Sequence, residues 1–206
     1  MLSIVRKIYC FNIALVLFAV PIPSFADWAL DKGQSQLNFV SIKKSAVAEI
    51  HGFKQIDGML SSDGRFELEL KLASVATNIP IRDERMRDML FEVGQFPLAK
   101  ITGDADLTPI KGLPVGGMAD LDVEVNLTLH GKSASMNSRL RVVRLDGNKL
   151  LVSTLQPMIV NAAKFDLAAG IEKLREVAKL PAIASAVPVT FSMVFSPSAA
   201  DAPKGK

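Results

Sequence analysis

The chain has 206 residues, 49% hydrophobic and 22% charged, with 24 basic against 21 acidic side chains and one cysteine. That length suits one domain, and the balance excludes a disordered or fibrous chain. A net charge of +3 without any Lys/Arg run excludes a charge-driven nucleic-acid binder.

Residues 1–26 read as a targeting segment. Arg6 and Lys7 precede an apolar run from Tyr9 to Val20; Pro21-Ile22-Pro23 ends it, and Ser24 and Ala26 supply the small residues a signal peptidase reads. The run is shorter than the roughly 20 residues a membrane span needs, so the segment is expected to be a secretory signal peptide cleaved after Ala26. Nothing later in the sequence predicts a stable membrane insertion. Cleavage removes Arg6, Lys7 and Cys10 and leaves 22 basic against 21 acidic residues. A mature chain without cysteine excludes a disulfide framework, a thiol nucleophile and a thiolate metal site. The expected division is signal peptide 1–26, one barrel domain 27–198 and a flexible tail 199–206.

Along the mature chain the dominant period is two. Phe66, Leu68, Leu70 and Leu72 alternate with charged residues, Leu121, Val123, Val125, Leu127 and Leu129 with charged or polar ones, while Val187 to Phe195 alternates large with smaller residues. Strict alternation predicts half-buried antiparallel strands, here at 35–43, 46–60, 65–76, 99–108, 117–129, 132–145, 149–160 and 186–196. Ser62-Asp63-Gly64, His130-Gly131 and Asp146-Gly147-Asn148 supply hairpin turns. Two segments change period. Ile79 to Val93 and Phe165 to Leu180 space their apolar residues for amphipathic helices, with i,i+4 partners such as Asp83 and Arg87 on the charged faces.

Eight antiparallel strands hide their edges best by closing. The predicted fold is therefore all-β, an eight-stranded antiparallel barrel with two short α-helices. Its inner face is almost wholly aliphatic, Phe or Met, and that width either fills with side chains or holds one small ligand. Seven residues on the apolar sides of the strands form the candidate lining: Phe39, Phe53, Phe66, Leu127, Leu129, Phe191 and Met193.

Catalytic motifs are mostly missing. Gly131-Lys132-Ser133 lacks the earlier glycine of a phosphate loop and lies between strands. Ser41-Ile42-Lys43-Lys44 matches SxxK without its companion motifs. His51 and His130 are the only histidines, each before a glycine. Without a third ligand at any metal spacing they read as strand-end residues, dispensable and exposed, and no cofactor or metal is expected. A small exported hydrolase or isomerase using His51 or His130 stays an alternative, as does a structural barrel with a filled core.

Read in order, the motifs resemble the YceI-like family of exported, lipocalin-like proteins. The resemblance rests on Trp28-Ala29-Leu30-Asp31, Gly52-Phe53, and Arg82-Asp83 followed by Met89-Leu90-Phe91 and Phe96-Pro97-Leu98-Ala99. Leu127-Thr128-Leu129-His130-Gly131, Ile159-Val160-Asn161 and Lys164-Phe165-Asp166 continue it. Asp166 stands where the family has Gly, the second helix is longer than usual, and nothing repeats Phe91 where many members pair aromatics. The resemblance implies a polyisoprenoid ligand, an isoprenoid quinone or polyprenyl phosphate, bound for carriage or storage in the periplasm rather than for catalysis. It adds Phe91 and Phe165 to the expected site. It also allows a homodimer and a quinone-using membrane cytochrome as partners. The segment Ile79 to Phe96 is expected across one barrel end, with Met86, Met89 and Leu90 facing the cavity and Arg82, Arg85 and Arg87 facing water or an anionic head group. It acts there either as a moving lid or as a fixed plug whose arginines pair with Asp83, Glu84 and Asp88.

Overall fold

The structure is a computed structural model and describes residues 28–198. The signal segment, its cleavage point and the tail lie outside the described residues. Within them, antiparallel pairing builds eight staves, four of which are broken in two. The first is β1 (Trp28–Leu30) with β2 (Gln36–Lys43), the second β3 (Val47–Phe53) with β4 (Ile56–Leu60), and the third β5 (Arg65–Lys71) with β6 (Val75–Ala76). β7 (Leu98–Asp104), β8 (Met118–Leu129) and β9 (Lys132–Arg144) follow, then β10 (Leu150–Thr154) with β11 (Met158–Asn161), and finally β12 (Ala186–Pro197). β12 closes the barrel, pairing with β10 and β11 on one side and with β1 and β2 on the other.

The breaks have local causes. Asp31 Oδ1 accepts from the Gly33 and Gln34 amides and turns the chain between β1 and β2. Opposite each other, β3 and β5 kink together: the Lys54 amide donates to the Ser74 carbonyl, and Ser74 Oγ accepts from the Gln55 amide at 3.0 Å and donates to the Lys71 carbonyl at 2.7 Å. The expected strand 99–108 ends early, at Asp104, because Thr108–Ile110 winds into a 3-10 turn whose Thr108 amide donates to Asp106 Oδ1 at 2.8 Å. All three predicted hairpin turns form. His130 and Gly131 both take left-handed φ, 50° and 72°, as a two-residue hairpin requires.

Both helical segments follow strands that end at the same barrel end, and both are shorter than expected. The first is α1 (Pro80–Arg85), which runs directly into a π turn, Met86–Leu90. The second is a 3-10 turn, Ala162–Phe165, then α2 (Ala168–Val177). Gly170 lets α2 pack on the π turn backbone to backbone, since a Cβ there would lie 2.7 Å from the Met89 carbonyl oxygen. Side chains facing into the barrel form one apolar core, with Phe165, Leu72, Leu150 and Met193 buried deepest. Among the described residues no helix is long and apolar enough to cross a membrane.

Candidate ligand-binding cavity

The inner face carries a cavity in two parts. The near chamber, about 140 Å³, lies against the π turn and α2; the far chamber, about 60 Å³, reaches the opposite end. Neither has a polar residue in its wall. Seven of the twelve expected residues line the near chamber: Phe39, Phe53, Met86, Leu90, Phe91, Leu127 and Leu129. Phe66, Phe191 and Met193 line the far one. Phe39, Phe53 and Phe91 form a chain of tilted rings, with centroids 5.5 and 6.0 Å apart.

Two expectations need correction. Met89 lines neither chamber, because the π turn changes the register of the helix. The Phe91 amide donates to the Met86 carbonyl at 2.9 Å, so Phe91 stands above Met86 and Met89 is turned out of line. Phe165 is fully buried but belongs to the packed core beneath the chambers' walls, not to the walls. Lining residues that alternation did not single out come from β11 and α2: Met158, Val160 and Ile171. Met158 and Val160 sit on the four-residue β11, too short for alternation to read, while Ile171 lies on the predicted second helix, whose apolar face only the packing turns into the chamber.

Beyond Phe39 and Phe53 the inner face turns polar. Cross-strand pairing sets Phe39 against His51 and Ser41 against Glu49, with Lys43 next along β2. His51 is buried, 4% exposed, in mid-strand rather than exposed at a strand end. Its ring lies 5.2 Å from that of Phe39, and Nε2 hydrogen-bonds Ser41 Oγ at 2.8 Å. Burial pushes its pKa below the ordinary value, with the Arg82 charge adding to the effect. Arg82 reaches over from α1: Nη1 donates to Glu49 Oε2 at 2.6 Å and Nη2 to the Thr77 carbonyl at 2.6 Å. Lys43 Nζ lies 2.8 Å from the same Glu49 oxygen, and these two cations hold the Glu49 carboxyl below its usual range. Arg82 therefore pairs across to β3 rather than with its own helix. Asp83 is occupied by Thr77, which donates to Oδ1 from both its amide, at 2.8 Å, and its hydroxyl, at 2.5 Å. The expected Asp83–Arg87 pair is replaced by this contact.

The Ser41–His51 pair has two members of a nucleophile–base relay. His51 Nδ1 has no hydrogen-bond partner, so no acid orients the ring as such a relay requires. His130 sits at the hairpin turn, its ring 4.3 Å from Phe96 and Nε2 3.4 Å from Glu92 Oε2. Among the described residues no group of three His, Cys, Asp or Glu side chains could hold a metal ion.

The closed eight-stranded barrel is shared with solved proteins. A polyisoprenoid-binding domain from Saccharophagus degradans, implicated in plant cell wall breakdown, is 39% identical with a TM-score of 0.80, covering 83% of this chain and 98% of that one. Burkholderia cenocepacia BcnA shares the fold at 17% identity and a TM-score of 0.63, over 80% of this chain and 98% of its own. A Campylobacter jejuni YceI protein shares it at 14% identity and a TM-score of 0.51, over 72% and 84% of the two chains. No curated protein matches the sequence. The YceI-like domain profile spans residues 28–195, all but the last two residues of the barrel just described, and on that match this chain belongs to the YceI-like family.

Proposed function

We propose that this protein is an exported carrier or store for a polyisoprenoid, working in the periplasm after loss of residues 1–26. The observation that carries the reading is the wholly apolar cavity, in a chain 39% identical to a polyisoprenoid-binding domain. An apolar tail gains about 0.8 kcal/mol per buried CH₂, so a dry wall binds a prenyl chain without polar contacts. The polar head would lie where the inner face changes character, beside Ser41, His51 and Arg82. There His51 Nδ1 and Arg82 Nε are buried without hydrogen-bond partners and can serve a phosphate or a quinone carbonyl.

The volume sets a condition. A cavity of about 150 Å³ holds one benzene-sized molecule, and the near chamber is of that size. A polyisoprenoid tail is larger, so its walls must move apart on loading. Met86, Met136 and Met158 line the cavity, and their flexible thioethers suit such repacking.

The test is organic extraction of the exported, purified protein followed by mass spectrometry. A co-purifying prenyl lipid at near-stoichiometric amount is the expected result. An empty barrel that also refuses added prenyl alcohols would mean a structural barrel instead.

A further inference from the structure

The two chambers meet at a waist. Ile101, Val125 and Met158 line both, and all three are buried. Cross-strand register places Phe66, Gly103, Val125 and Met136 in one row across β5, β7, β8 and β9. Gly103 leaves this row open on one side: a Cβ there would come within 2.6 Å of the Phe66 ring, so the ring occupies that space next to Val125. Along β8, Leu129 and Leu127 face only the near chamber and Leu121 only the far one. Val125 lies midway, with four residues on either side, about 13 Å each way at roughly 3.3 Å per residue.

The far chamber runs toward the 3-10 turn Thr108–Ile110. Leu107, Ile110 and Leu150 line that end and are buried. Arg144 Nη2 donates to the Ile110 carbonyl at 3.1 Å and fastens the 3-10 turn beneath it.

Resting on the polyisoprenoid reading above, we infer that Val125 sets the length of prenyl chain this barrel accepts. A tail entering from the helical end fills the near chamber first. Only a longer tail must pass Ile101, Val125 and Met158, and it stops against Ile110. A short tail touches the waist only at its end, where Val125 forms part of the near chamber's floor. Added bulk at Val125 therefore penalises long tails selectively, whereas a general loss of packing would weaken every tail alike.

The experiment measures binding of farnesol, geranylgeraniol and solanesol to the mature protein and to Val125→Phe. The expected result is that Val125→Phe lowers the solanesol-to-farnesol affinity ratio about tenfold or more, with geranylgeraniol between the two. Equal weakening of both, or of neither, overturns the role of Val125 and leaves the lipid-binding reading standing. A wild-type protein that binds none of the three overturns that reading and the waist with it. If Val125→Phe does not fold, Val125→Leu, one methylene larger, must shift the solanesol-to-farnesol ratio in the same direction; an unchanged ratio overturns the proposal.

Discussion

His51 illustrates how one neighbour changes the meaning of a residue. Its place before a glycine suggests a turn, yet it faces inward from mid-strand, bonded to Ser41 and packed on Phe39. Because its folded pKa is depressed, the unfolded chain binds the proton more readily. Stability is therefore whole above the unfolded value near 6.5 and falls as pH drops through it toward the folded value. The urea midpoint should decline between about pH 7 and pH 5, and that decline should shrink in His51→Gln. Identical pH profiles would show that the ring is free to ionise in place. Phe39→Asp puts a carboxylate into the near chamber's wall at a cost of several kcal/mol unless it stays protonated. It should abolish prenyl-lipid retention, whereas the same change at exposed Ile50, on the outer face of β3, should leave retention unchanged. Retention measured by mass spectrometry of extracted lipid separates the two.

At the level of elements, the end of the barrel is made by α1, the π turn and α2 acting together. Period 3.6 was legible in residues 79–93, but the extra residue that makes Met86–Leu90 a π turn has no sequence signature. It forms where α2 presses on it through Gly170. Gly170→Ala forces that contact apart and should lower stability by about 1–3 kcal/mol, read from urea denaturation. The same packing bears on whether Ile79–Phe96 is a lid or a plug. The near chamber is too small for a polyisoprenoid tail as it stands, and the π turn supplies three of its lining residues, Met86, Leu90 and, at its end, Phe91. A moving element predicts that amide exchange across 79–96 slows on adding solanesol; a fixed plug exchanges identically with and without it.

For the whole molecule, the proposed export predicts which chain does the work. Intact mass of the exported protein should correspond to a start at Asp27, and a mass retaining residues 1–26 would contradict it. The mature chain then lacks Cys10, so its urea midpoint should be the same with and without a reducing agent. The alternation of Phe66 to Leu72, Leu121 to Leu129 and Val187 to Phe195 was enough to identify the strands and their inward faces. Side-chain direction in a strand follows from the backbone within two residues. Eight such strands with polar outer faces then leave closure as the way to cover edges. Ten of the twelve expected lining residues reach the cavity walls for the same reason. What alternation does not carry is anything that depends on a distant neighbour: the paired kinks at Gln55 and Ser74, the reach of Arg82 to Glu49, the burial of His51 and the waist at Val125. Those depend on which strands pair and in what register, and register joins residues far apart in the chain, so only the closed barrel decides them.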